Sequence, residues 1–112
     1  MYTYKPFVKR VIDGDTFVCD IDLGFGIWLN DKSVRVAHVN CPERETPEGA
    51  AAKNYTTNML SQANEITICV KEHKGDKFGR ILAEVTLDGR RLDKCLIEDG
   101  HAVRYEGGRK DH

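Results

Sequence analysis

The hydrophobic period changes several times along the chain. Phe17, Cys19, Ile21 and Leu23 alternate with Val18, Asp20 and Asp22, the two-residue repeat of a half-buried strand over 16–23. Leu23-Gly-Phe-Gly-Ile27 and Asn30-Asp-Lys-Ser33 are rich in turn formers and predict an irregular stretch. Val34 to Val39 is extended again, with Arg35, Ala37 and Val39 on one face. Pro42 then biases Cys41 away from helix. Thr46-Pro47 reads as an N-cap followed by a first-turn proline. Ala52, Tyr55, Met59 and Ala63 recur at spacings of 3, 4 and 4, predicting an amphipathic helix to about Gln62.

Strands return at Glu65 to Lys71 and at Arg80 to Thr86, the second with Ile81, Ala83 and Val85 inward. Between them lies the polar loop Glu72-His-Lys-Gly-Asp-Lys-Phe-Gly79. Asp88-Gly89 signals a tight turn. Leu92 to Asp99 reads as a short helix closed by Gly100. His101 to Tyr105 is a last strand or an extended arm, and 106–112 is expected to fray. The order of strands, helix, strands and helix is α+β and mainly β, consistent with a small closed barrel carrying helices. No repeat, low-complexity tract or linker divides the chain, so residues 1–112 are expected to form a single domain.

Composition narrows the function classes. The chain has 112 residues, 40% hydrophobic and 31% charged, which excludes full-length disorder. Its 17 Lys+Arg nearly balance 18 Asp+Glu, so any polyanion site must be local. No stretch approaches the roughly 20 apolar residues that span a bilayer. The N-terminus lacks the pattern of a secretory signal, and an intracellular (cytoplasmic) protein is the expectation. Cys19, Cys41, Cys69 and Cys95 contain no Cys-x-x-Cys pair, which argues against structural zinc and for reduced, packed thiols.

Four segments bring acidic and guanidinium groups to turns or strand ends. Asp13-Gly-Asp15 is by itself most often a solvated bend, but its oxygen ligands on a glycine turn also suit a hard cation. Arg35, on a strand face with Ala37 and Val39, needs an ion-pair partner or a bound anion. Glu43 follows the strand end at Asn40-Cys-Pro, where a solvated carboxylate is the plain reading. Asp76-Lys-Phe-Gly-Arg80 puts an aromatic and an arginine at the mouth of a strand. His38, His73, His101 and His112 form no ligand pattern. Gly24-Phe-Gly26 lacks the βαβ unit of a nucleotide fingerprint. Trp28 is expected to fill core rather than to stack on a ligand.

Together these segments resemble the staphylococcal (micrococcal) nuclease family of thermonuclease-like domains. The matching pieces are Val11-Ile-Asp-Gly-Asp-Thr16, Val34-Arg35 leading to Val39-Asn-Cys-Pro-Glu43, Asp76-Lys-Phe-Gly-Arg80, Leu87-Asp-Gly89 and Asp99-Gly100-His-Ala102. Order and spacing agree from about Lys9 to Arg104. The resemblance implies a five-stranded OB-fold barrel with two to three packed helices. It implies calcium-dependent hydrolysis of phosphodiesters in DNA and RNA, leaving 3′-phosphate and 5′-hydroxyl ends. Asp15, Asn40 and the main-chain carbonyl of Cys41 would hold one Ca2+. Arg35 and Arg80 would hold the scissile phosphate, and Glu43 would act on the attacking water. Lys77, Phe78 and Tyr105 would contact substrate, and Lys71 and Lys74 would help to guide a strand.

Asn40 stands where the family usually has a second metal-binding aspartate, so calcium binding is expected to be weaker or its metal preference altered. Single-stranded or locally melted nucleic acid is the expected substrate, and the protein is expected to be a monomer. The competing class is a catalytically weak or inactive OB module that binds single strands or a protein partner. Asp15, Arg35, Glu43 and Arg80 argue against it, since a pure binder has little need for the glutamate; Asn40 argues for it.

Overall fold

The protein was analysed as a computed structural model that describes residues 2–73 and 80–106, with the His73 side chain excepted. Lys74, Asp76, Lys77, Phe78, Gly79 and His112 therefore lie outside the described residues. Five long strands carry the fold: β2 (Pro6–Asp13), β3 (Thr16–Gly24), β4 (Ile27–Val36), β6 (Ile66–His73) and β7 (Ile81–Leu87). Four two-residue strands supplement them: β1 (Thr3–Tyr4), β5 (Val39–Asn40), β8 (Arg90–Arg91) and β9 (Val103–Arg104). Two helices, α1 (Pro47–Gln62) and α2 (Leu92–Glu98), complete a mainly β architecture. Hydrogen bonding runs β1-β6-β7-β4-β3-β2, with β8 on β7, and β5 pairs with β9. Only β4 and β7 are parallel, with Val34 opposite Ile81 and Arg35 opposite Leu82. No helix of the described residues is long and apolar enough to cross a membrane.

The two-residue period predicts the burial well in the second half. Ile81, Ala83, Val85 and Leu87 all face the core, where they meet Phe17, Ile21, Val34, Val36 and Ile68 from the other strands and Leu92 and Leu96 from α2. α1 ends at Gln62, as its periodicity implies. The four cysteines are free, and burial pushes the thiols of Cys19 and Cys41 up to about 12.

Two readings of the first half change. The stretch 24–33 is regular: it forms the tip and return strand of a long β3–β4 hairpin. Phe25 and Gly26 both take positive φ, 58° and 75°, as a two-residue type I′ turn requires to match the strand twist. A bulge at Asn30–Asp31 bends the return strand, and the side chain of Asp20 accepts the Asp31 N–H at 2.8 Å. Trp28 is no core filler: it stands 48% exposed near this tip, beside a fully exposed Phe25. Secondly, β4 ends at Val36, and Arg35 faces away from the buried Val34 and Val36. The chain then turns through His38, at φ 76°, before β5 begins. Ala37 N–H donates to the Ala83 carbonyl at 2.8 Å across that turn.

Helix α1 fixes the loops around it. Thr46 caps it, its hydroxyl accepting from Gly49 N–H at 2.9 Å and donating to the Glu43 carbonyl at 2.7 Å. Gly49 is required because a Cβ there would run into the Glu43 carbonyl. Further along, the buried Thr56 hydroxyl donates to the Gly14 carbonyl at 2.7 Å. A Cβ on Gly14 would meet Ala52 Cβ at 2.8 Å and Cys41 Sγ at 2.9 Å, so the Asp13-Gly14-Asp15 turn lies flush against the helix.

The C-terminal arm crosses β5, with Asn40 opposite Val103 and Val39 opposite Arg104. His38 fastens it: Tyr105 N–H donates to the His38 carbonyl at 2.9 Å, and His38 Nδ1 lies 2.9 Å from Glu106 Oε1. The other ring nitrogen, Nε2, lies 2.7 Å from Glu84 Oε2 on β7. Ionised carboxylates only accept, so an imidazole between two of them is held as the doubly protonated cation. The Glu106 and Glu84 hydrogen bonds raise the His38 pKa, and His38 lowers those of both carboxylates. Glu106, expected to begin a frayed tail, is thus anchored.

Two outcomes follow from this packing. Gly49→Ala is expected to lower stability by about 1–3 kcal/mol, read as a fall in Tm by circular dichroism; an unchanged Tm would mean the Glu43 loop yields freely. The His38 clasp has a defined pH window. Because the His38 pKa is raised, its contribution is complete below the ordinary imidazole value of 6.5 and is lost as pH rises through the folded value. Because the carboxylate pKa values are lowered, their contribution is complete above the ordinary 4.5 and is lost as pH falls through the folded values. In chelator, hydrogen-exchange protection of the Tyr105 amide should decline on the alkaline side. A flat profile from about pH 5 to about pH 8 would remove the charge dependence.

Candidate functional site

Strand register builds the site before any side chain is considered. β3 and β4 pair with Thr16 opposite Arg35, and Val36 N–H donates to the Asp15 carbonyl at 2.8 Å. The glycine turn therefore delivers Asp15 next to the end of β4. From there β5 brings Asn40 and Cys41 back to the same place.

Asp15 is 6% exposed, and its carboxylate is satisfied by three neighbours. Oδ2 accepts Cys41 N–H at 2.9 Å, Oδ1 accepts the Thr16 hydroxyl at 3.0 Å, and Arg35 Nη2 lies 3.7 Å from Oδ2. Arg35 is held along one edge: Nη1 donates to the carbonyls of Val36 at 2.8 Å and Val39 at 2.9 Å, and Nη2 donates to Asn40 Oδ1 at 3.2 Å. Its guanidinium carbon lies 5.6 Å from the centre of the Tyr105 ring, a cation–π contact. Asp15, Arg35, Asn40, Cys41 and Tyr105 thus converge. Tyr105, expected against substrate, has its ring on Arg35.

The other candidates stand apart. Glu43 points its carboxylate to solvent while its carbonyl is locked by Thr46. Arg80 is exposed and directly precedes β7, so the parallel register puts it within two residues of Arg35's level on the adjoining strand. Lys71 is ion-paired to Glu84 at 3.8 Å. A cleft of ≈ 260 Å³ opens between the segments 40–42 and 100–103, with His101 in its wall packed at a tilt against Tyr55, 4.5 Å between ring centres.

The donor chemistry fits a hard cation. Asp15, the Asn40 amide and the Cys41 carbonyl offer oxygen only, which suits calcium or magnesium. On the same turn Asp13 Oδ1 is buried without a hydrogen bond, 3.6 Å from Arg44, as a carboxylate near a cation site can be. Among the described residues no group of three His, Cys, Asp or Glu is placed to hold a metal.

Sequence reasoning missed the supports. Thr56 sits on the buried stripe Gly49, Ala52, Thr56 and Leu60, at spacings of 3, 4 and 4. A polar residue in that frame was the available signal. The partnership of His38 with Glu84 and Glu106 left no sequence signal, since 46 and 68 residues separate them.

Comparison with known proteins agrees with this geometry. The profile of the family described as staphylococcal nuclease homologue matches residues 33–112. A thermonuclease from Staphylococcus intermedius is 37% identical over 101 residues, covering 85% of this chain and 56% of that protein. A thermonuclease from Staphylococcus hyicus is 30% identical over 106 residues, covering 89% and 57%. Endonuclease YhcR of Bacillus subtilis (strain 168) is 32% identical over 114 residues, covering 91% of this chain but 9% of that protein. The chain spans little more than half the length of the two thermonucleases. The family profile itself covers over two thirds of the chain, which belongs to the staphylococcal nuclease homologue family.

Proposed function

We propose that this chain is a calcium-dependent nuclease that hydrolyses phosphodiester bonds in DNA and RNA, leaving 3′-phosphate and 5′-hydroxyl ends. One observation carries the reading: the unused edge of Arg35. Its two Nη1 hydrogens are taken by main-chain carbonyls and one Nη2 hydrogen by Asn40. Among the described residues that leaves Nε–H without a hydrogen bond and the second Nη2–H with only the longer Asp15 Oδ2 contact at 3.7 Å, a parallel pair suited to two oxygens of a phosphodiester. Family membership and relatives named as nucleases support the same class of reaction.

Attack on a phosphodiester gathers negative charge on the non-bridging oxygens. Arg35, oriented before substrate arrives, meets that charge without reorganising. Arg80 supplies a second guanidinium from the adjoining strand. Glu43, on a backbone pinned at the start of α1, orients the attacking water and accepts its proton, a contribution of about 10²–10⁴-fold. Asp15, the Asn40 amide and the Cys41 carbonyl would hold calcium, which would supply positive charge near the phosphate and ease ionisation of water. The protein acts as a monomer on single-stranded or locally melted nucleic acid, whose phosphates are more open than those of a stacked duplex.

A non-catalytic binding module is the second reading. Asn40 favours it, because the metal site has one negative charge fewer than a two-carboxylate site.

Denatured DNA incubated with the protein should shorten in calcium and not in chelator, with 3′-phosphate ends. Intact DNA bound by folded protein in calcium would instead select the binding module. Arg35→Ala should reduce turnover by about 10²–10³-fold, the usual effect of losing one preorganised donor. Near-normal turnover in folded Arg35→Ala would refute its role. Asn40→Asp should tighten calcium binding, seen as a larger calcium-induced rise in Tm than in the parent. Equal shifts would show that the amide oxygen is not a ligand.

A further inference from the structure

The arm that carries Tyr105 is weakly attached by its own backbone. β9 and β5 share a two-residue ladder, too short to be stable alone. His38 makes up the deficit from three directions. Its carbonyl takes the Tyr105 N–H, Nδ1 takes Glu106, and Nε2 takes Glu84 on β7. Positive φ at a non-glycine residue is uncommon, and φ 76° here turns both the carbonyl and the ring of His38 to the arm. Other charges complete the surroundings: Arg91 and Lys71 each lie 3.8 Å from Glu84, Arg104 lies 3.1 Å from Glu106, and Asp93 takes two bonds from Arg91.

The beneficiary of this clasp is Arg35. Its hydrogen bonds to Val36, Val39 and Asn40 fix one edge of the guanidinium, but they leave its plane free to tilt about that edge. The Tyr105 ring closes off that tilt. We propose that His38 and Glu106 are positioning residues, which hold Tyr105 against the guanidinium of Arg35 and so set the direction of its two unused donors. The inference rests on the reading of Arg35 as the phosphate-binding arginine. His38 touches neither substrate nor metal in this account; it acts through Tyr105. The clasp joins three separated segments: the turn at 38, β7 and the arm.

The test combines kinetics with a signal independent of turnover. On denatured DNA, His38→Ala and Tyr105→Leu should each lower kcat roughly two- to thirtyfold, the range a cation–π contact is worth. KM should hold within about twofold, because a polymer's binding is spread over many phosphate contacts. Tyr105→Phe, which keeps the ring, should lose less kcat than Tyr105→Leu. The double variant His38→Ala/Tyr105→Leu should be no slower than Tyr105→Leu, since His38 acts only through the ring. In parallel, the Arg35 Nε–H resonance should lose its ring-current shift in both His38→Ala and Tyr105→Leu, and keep it in Tyr105→Phe. Circular dichroism establishes that each variant is folded. Additive losses in the double variant, or an unmoved Arg35 resonance in His38→Ala, would overturn the inference. If the parent protein cleaves nothing, the nuclease reading fails by itself, and the resonance alone decides whether the clasp positions Arg35.

Discussion

A buried carboxylate organises this protein. Asp15 is nearly inaccessible, and an ionised group removed from water must find partners or destabilise the fold. The solution draws in one group from each surrounding segment: the Thr16 hydroxyl from its own strand, the Cys41 amide from the chain after β5, and the Arg35 guanidinium from β4. Those segments therefore cannot drift apart without stranding a charge. Helix α1 closes the arrangement from behind, with Thr56 hydrogen-bonded to Gly14 and Ala52 pressed against it. A net contribution of about 1 kcal/mol for such a hydrogen bond is modest, but its loss would leave the Gly14 carbonyl unpaired in the interior. The placing of the Asn40 and Cys41 segment and of the Arg35 guanidinium is thus a consequence of a single electrostatic requirement.

How much of this was legible in the sequence depended on the range of the signal. The helix over Pro47–Gln62 and the inward face of β7 follow from local period and capping, and both were readable. The hairpin was misread because Gly24, Phe25 and Gly26 look like the start of a loop, whereas their positive φ values serve a tight turn between two long strands. Arg35 was assigned to the wrong face because the turn at His38 interrupts the alternation, and nothing in Val-Ala-His-Val announces it. Asp15, Arg35, Asn40 and Cys41 were singled out because they sit in short motifs whose spacing survives in sequence, and the fold brings them together. Their supports were not found. Thr56 acts over 42 residues and Glu106 over 68, and only folding brings such pairs together.

Charge is distributed in the same spirit. The chain is almost neutral overall, yet its cations are already engaged around the site: Arg35 with main-chain oxygens, Arg91 with Asp93, Lys71 with Glu84, Arg44 near Asp13. Such pairing limits non-specific attraction to polyanions and concentrates it where donors remain unused. Asn40 belongs to the same balance. As an amide it accepts from Arg35 without adding a second negative charge beside Asp15, so the guanidinium is held less firmly there than two carboxylates would hold it.

The exposed hairpin tip has a consequence for how the molecule reports on itself. The chain has one tryptophan, and it stands half in solvent near the far end of the β3–β4 ribbon, seven residues from Arg35 of the Thr16–Arg35 pair at its base. Its indole samples water in the native state and in the denatured state alike. Intrinsic emission is therefore expected to report on the ribbon tip more than on the core around Phe17 and Val85. An optical signal usually trusted as a gauge of the whole fold becomes, in this protein, a label placed at its most solvent-facing extremity.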